Sequence, residues 1–380
     1  MTSPSGQRGK IRLFLCGDVM LGRGIDQVLQ WPCDPALHED YVSSAHEYIA
    51  LAERAHGSIP RGVPGSYVWG AALDALAQTP VDLRIVNLET SITRSESYER
   101  KGINYRVSPE NAGCLRAAHI DCCTLANNHV LDWGTSGLRE TLSTLQRLGI
   151  KSAGAGRNAD EAATPAILPL SGGTRVLVYA FASTTSGTPQ RWAATSDRPG
   201  VNLLADLSRV TADRVVDCIN RDRAPDDLVV VSVHWGPNWG NEIGSEQTNF
   251  AHTLIDRSGV SVIHGHSSHH AKAIELYNQG LILYGCGDFI NDYEGIAGYE
   301  HYRGDLSLMY LVTINPGTGA VVGLDLVPLQ MRQFCLVRAK EADIDWLQQT
   351  LDRESRSFAA RIAKSGNDRL SLLTDRGHAA

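Results

Sequence analysis

The sequence predicts an α/β fold, two packed mixed β-sheets flanked by helices, in one large domain. Three observations point to it. In the first half, short β-branched apolar runs alternate with runs of helical period. In the second half, hairpin-like pairs of apolar runs dominate. The apolar runs also end repeatedly in histidine, asparagine, aspartate and glycine, as a buried strand does when it delivers side chains to a site at its C-terminal tip. The 380 residues are 43% hydrophobic and 20% charged, enough apolar material for a sizeable core. No fixed-period repeat, low-complexity tract or clear linker divides them.

Residues 1–10 read as a polar, flexible arm, and 11–335 as the main folded domain. IRLFLC (11–16) is a first buried strand that ends at Gly17-Asp18, before the glycine-rich LGRG. A carboxylate there is placed to hold a metal ion or to cap a turn. Arg23, in the same loop, either meets an anionic substrate group or is a solvated arginine. Helical patterns near 41–55 and 68–78 flank the Pro/Gly-rich SIPRGVPGSY. Residues 82–88 read as a strand with Asn87 and Glu89 at its tip, on one face by alternation. Oxygen ligands of that kind suit Mg, Mn, Ca or Zn, although a strand-end hydrogen-bond network gives the same pattern. KGINYR (101–106) is a loop or edge strand whose cations, Lys101 and Arg106, are candidates for substrate binding. A helix follows over 107–118.

The strand at 120–125 ends in Asn127-Asn128-His129, and Asp132 stands three residues beyond the histidine, where it can orient the ring. A helix is expected at 135–148 with Gly149 as its cap, another from Asn158, and a hairpin over 166–170 and 174–182. Residues 183–204 carry no periodicity and read as a long functional loop. A helix at 205–221 leads to the strand 228–233, and one at 245–258 leads to the strand 260–264. Their tips hold five of the thirteen histidines, His234, His264, His266, His269 and His270. Neutral imidazole is the commonest metal ligand near neutral pH. Beside them, Trp235 is a candidate for substrate contact. A hairpin at 273–284 precedes GCGDFINDYEG (285–295), where Asp288 and Asn291 are further substrate-binding candidates. His301, isolated from the other histidines, is either an acid/base group or a surface residue. Strands at 306–313 and 320–329 close the sheet. A C-terminal helix, within 336–363, packs on the domain, and 364–380 form a fraying polar tail.

The formal net charge of −7, with scattered arginines, argues against a nucleic-acid partner. No stretch reaches the roughly 18–20 apolar residues of a membrane span, and the N-terminal residues lack the apolar core of a signal peptide. The expected location is cytoplasmic, with no membrane partner; the oligomeric state stays open. The eight cysteines include no CxxC pair, so reduced, buried thiols are expected rather than a thiolate zinc site.

Seven segments in order, GDVMLGRG (17–24), NLETSIT (87–93), ANNHVLDWG (126–134), GAGRN (154–158), HWGPNWG (234–240), HGHSSHH (264–270) and GDFIND (287–292), together resemble the CapA family, named for proteins of poly-γ-glutamate capsule synthesis. That family is similar to the calcineurin-like metallophosphoesterases, and the resemblance covers about residues 10–330. It implies a four-layer αββα sandwich with one or two divalent ions (Mn, Zn, Ca or Mg) and no organic cofactor. The implied metal ligands are Asp18, Glu89, Asn128, His234, His264, His266 and His269, and the implied catalytic imidazole is His129; Asp18, Asp132 and His301, read from the residues themselves, join it as candidate catalytic groups. The chain departs from the pattern at Met20, where a histidine is expected; at Glu89, in place of a bridging aspartate; and in the stretched Gly265-His266-Ser-Ser-His269. Three activities follow. The first is a metal-dependent acid/base enzyme on a peptide substrate, epimerising a Cα as in lasso-peptide tailoring. The second is a metal-dependent hydrolase of phosphoesters or γ-glutamyl amides. The third is a non-catalytic binding protein on the same fold.

Overall fold

A computed structural model describes residues 9–366 and 368–373. The first strand, Ile11–Val19, runs parallel to Leu83–Leu88 on one side and antiparallel to Leu306–Ile314 on the other, so this sheet is mixed. It extends through Cys122–Thr124 to Lys151–Ala153 at one end, and through Val321–Arg332 to the C-terminal strands at the other. The second sheet is built around Leu228–His234, which lies parallel between Arg175–Ser183 and Val262–His266. All seven of its residues are buried, as a near-continuous valine run between two covered faces requires.

One apolar core runs between the sheets and includes Leu15, Ile85, Cys122, Val178, Val230 and Val262. A second lies on the outer face of the second sheet, where the helices Arg209–Asp222 and Ser245–Ser258 cover Val229, Val231 and Ile263. Ser208 caps the first of these helices by accepting a hydrogen bond from the Thr211 amide. On the larger sheet, the helix Gly134–Arg147 packs beside Lys151–Ala153 and the helix Ala71–Gln78 beside Val321–Arg332. The expected two mixed sheets flanked by helices are therefore present.

Register places the strand tips level with one another. Asp18 pairs with Asn87 and Asp288, Asn87 with Thr124, and His234 with His266. Between the sheets, the Ser232 hydroxyl donates to Thr124 Oγ1 at 3.2 Å.

Two expectations need correction. The C-terminal helix spans only Glu341–Ser355, and Arg361–Ser365 and Arg369–Leu373 form an antiparallel hairpin on the edge of the larger sheet. Ala359 takes a left-handed conformation that stops the helical path, and alternation then buries Ile362, Leu370 and Leu372. What read as a tail from residue 364 thus contains the end of one strand, to Ser365, and the whole of another, Arg369–Leu373. The loop 183–204 is not structureless either: it holds short turns at Thr184–Ser186 and Gln190–Trp192 and two-residue strands at Gly200–Val201 and Leu203–Leu204. Residues 1–8 of the expected arm, and 367 and 374–380 of the expected tail, lie outside the described residues.

Candidate metal centre

Asp18 is fully buried at the end of the first strand, beyond a break in its register. Its Oδ1 accepts from the Asn87 amide at 2.7 Å and its Oδ2 from the Ser267 backbone N–H at 3.1 Å. His266 Nδ1 lies 3.7 Å from Asp18 Oδ1 and 2.8 Å from His234 Nδ1. One ligand atom each from Asp18, His234 and His266 therefore falls within 4.8 Å of the others. The far nitrogen of His234 meets Asn128 Oδ1 at 3.0 Å, and that of His266 meets the Ser232 hydroxyl at 2.7 Å.

Glu89 stands beside this group, with Oε1 3.7 Å from both His234 Nε2 and His129 Nε2. Its other oxygen is buried with no hydrogen-bond partner, an arrangement that costs energy unless something absent from the chain satisfies it. Burial first, and the Asp288 charge second, push the Asp18 carboxyl up to about 7. Burial and the neighbouring Asp18 raise Glu89 well above its ordinary range. Burial also lowers His234 and His266, each further depressed by a neighbouring imidazole. Crowded carboxylates, neutral imidazoles and an orphaned oxygen are the donor set that a divalent cation satisfies. Asp18, His234 and His266 would hold it, with Glu89 and Asn128 adjoining.

His129 packs against this cluster. Asp132 Oδ2 accepts from its Nδ1 at 2.7 Å and from the Tyr105 amide at 2.6 Å. Lys101 Nζ donates to Asp132 Oδ1 at 2.7 Å and to the Asn128 carbonyl. Burial, opposed by Asp132 and assisted by Lys101, lowers the His129 pKa to about 4. The ring is therefore neutral near pH 7; the Asp132 carboxylate favours the proton on Nδ1, a nitrogen that Lys101 Nζ also approaches to 3.2 Å. On the other side, His269 Nδ1 meets Asp288 Oδ1 at 2.9 Å, and Asn291 donates to Asp288 Oδ2 at 2.9 Å. Burial opposes charge on His269, but Asp288 outweighs it and the pKa rises.

Several sequence candidates are used differently. His264 is not offered to the cluster, because Nε2 meets the Cys16 carbonyl at 2.8 Å and Nδ1 the Ser232 hydroxyl at 3.2 Å. Asn87 supports Asp18 rather than facing solvent. Trp235 follows His234 on the strand and so points to the opposite face, where Nε1 donates to the Tyr284 carbonyl at 3.0 Å. Arg106 lies over Trp133 and pairs with Glu96. Arg23 is buried, bonded to Asp292 and Glu39, and sits 3.8 Å from the Tyr48 ring centroid. His301 is exposed and contacts Tyr302 rather than the cluster. Met20, where a histidine is expected, is buried against the Tyr293 hydroxyl, which in turn meets that of Tyr105 at 2.7 Å.

Sequence reading missed Asn127, Tyr105 and Ser232. Asn127 caps the turn that carries His129 by accepting from the amides of His129 and Val130. An asparagine two residues before the histidine is a recognisable signal for that cap.

The buried His264 gives a pH prediction. Burial lowers its pKa from 6.5 to about 4. Between those values the unfolded chain binds a proton that the folded chain refuses. Stability therefore falls as pH drops from 6.5 to 4 and levels off below, by roughly 3 kcal/mol at 1.36 kcal/mol per pH unit. Urea midpoints of the metal-free protein and of His264→Asn, measured across that window, are expected to show a shallower acid decline in the variant; parallel declines would contradict this.

Residues 12–293 match the family described as bacterial capsule synthesis protein PGA_cap. The chain is 42% identical over 371 residues to a probable polyglutamine synthesis accessory protein of Mycobacterium tuberculosis, covering 97% of each chain. It is 25% identical over 340 residues to the PGA biosynthesis protein CapA of Bacillus subtilis, covering 89% of this chain and 76% of that one. A capsule biosynthesis protein CapA of Bacillus anthracis is 24% identical over 335 residues, covering 85% and 68%.

Proposed function

The chain belongs to the bacterial capsule synthesis protein PGA_cap family, and from that premise we propose that it is a metal-dependent hydrolase of amide links in a glutamyl polymer. The observation that carries the reading is the meeting of Asp18, His234 and His266 within 4.8 Å, beside the His129–Asp132 pair. The relatives' names supply the polymer.

A divalent ion bound there polarises a carbonyl oxygen and makes water more acidic. The chain's own residues do the rest. Asp132 holds the His129 ring and fixes its tautomer. His129 Nε2 takes a proton from the attacking water as the water oxygen bonds to the carbonyl carbon. The same nitrogen returns the proton to the departing amine as the C–N bond breaks. Lys101 pairs with Asp132 Oδ1 at 2.7 Å and keeps that side chain in place under the ring. Epimerisation, the first expectation from the sequence, gains no support from these relatives. His301, its second proton carrier, lies in solvent.

The test is amine release from polyglutamate and polyglutamine chains by protein stripped with chelator and then reloaded with Mn²⁺ or Zn²⁺. Release that requires the metal supports the reading; intact polymers alongside metal-dependent cleavage of a phosphoester would overturn it. Asp132→Asn is expected to lower amine release by about 100-fold or more, since a positioned proton carrier contributes that much. Metal content by mass spectrometry should stay unchanged, and a proportional loss of metal would contradict the orienting role.

A further inference from the structure

A cavity of about 810 Å³ opens beside the metal centre, with His269 and Asn291 in its wall. That volume suits a few residues of an extended chain, within the roughly 300–1,000 Å³ of sites that enclose a small ligand. The wall is largely apolar. Tyr41, Tyr299 and Ile296, which are 69%, 51% and 47% exposed, all belong to it. Solvated apolar side chains gathered at one opening mark a binding surface. Its guanidinium groups are already paired, Arg23 with Asp292 and Glu39 and Arg303 with Asp305 and Asp343, and His269 meets Asp288. Glu300 adds a further carboxylate.

On the reading that the substrate is a glutamyl polymer, we propose that this cavity receives a stretch whose side chains are uncharged amides rather than carboxylates. A run of carboxylates entering it would lose hydration without gaining a free guanidinium or ammonium partner. The chain's net charge of −7 also repels a polyanion before contact. Glutamine-type side chains meet neither obstacle. Their methylene stems pack on Ile296 and Tyr41, and their amides both donate to and accept from the polar wall. His269 and Asn291, in the cavity wall, both bond Asp288, the strand partner of Asp18, so the cavity adjoins the metal centre, which favours a substrate over a docked partner protein.

The experiment is calorimetric titration of the whole protein with acetylated pentapeptides of glutamine and of glutamate at low salt. The glutamine peptide is expected to bind at least about 10-fold more tightly. Ile296→Ser and Tyr299→Ser, both at exposed positions, should each weaken that binding by at least about threefold without altering Mn²⁺ uptake. Equal or tighter binding of the glutamate peptide would overturn the proposal, as would saturable binding of neither. Preferential binding of the glutamine peptide without any cleavage would overturn the hydrolase reading while upholding the cavity assignment.

Discussion

Replacing Asp18 by asparagine is expected to weaken divalent-ion binding by at least about 100-fold and to bring polymer cleavage to background. Both carboxylate oxygens of Asp18 already accept hydrogen bonds, from Asn87 and from the Ser267 amide. The substituted side chain has one acceptor oxygen and must turn its NH₂ toward one of those donors, so it loses negative charge and orientation together. The fold should survive. Asp18 is buried, and burial already works against its charge, so a neutral isostere removes a desolvation cost. Calorimetric titration with Mn²⁺ and a urea melt of the same sample separate the two effects. Retained metal affinity would remove Asp18 from the centre, and collapse of the fold would show its role to be structural.

The second large effect is expected one residue earlier. A Cβ added at Gly17 would lie 1.7 Å from the Gly287 carbonyl oxygen. That carbonyl accepts the Asp18 amide at 3.0 Å, so the contact joins the two strand tips directly. Gly17→Ala must push the Asp288 strand away from the first strand. The expected cost is about 3 kcal/mol, at the upper end of overpacking, with loss of metal uptake as His269–Asp288 separates from Asp18. Gly113→Ala is the control: its added Cβ meets nothing within 4 Å and its φ is not positive, in a short helix. It should leave stability unchanged or raise it by roughly 0.5–1 kcal/mol. Urea midpoints of the two variants check the contrast, and equal midpoints would contradict it.

Much of this was legible in the chain because the site's groups sit at the ends of short apolar runs. Asp18, Asn87, His234 and His266 are all strand-tip residues, and strand register carries them to one level. The His129–Asp132 pair was legible for a different reason, the three-residue spacing across a single turn. Depth was not legible. His264 and His266 share a face by alternation, but His264 lies one step further down its strand, under the Cys16 carbonyl. Alternation did contain the answer for Trp235, since a neighbour of an inward histidine must point outward. The C-terminal hairpin also carried its signal, in the apolar Ile362, Leu370 and Leu372, but the preceding helical pattern hid it. Most of the aromatic wall of the cavity comes from loops, including Trp239 and Tyr299, whose rings stack with centroids 4.3 Å apart. Loops have no period to read.

The most direct test of the central claim is anomalous scattering from crystals soaked in Mn²⁺. A peak is expected within about 2.0–2.4 Å of an Asp18 oxygen and of ring nitrogens of His234 and His266. A peak elsewhere, or none there at saturating Mn²⁺, would contradict it.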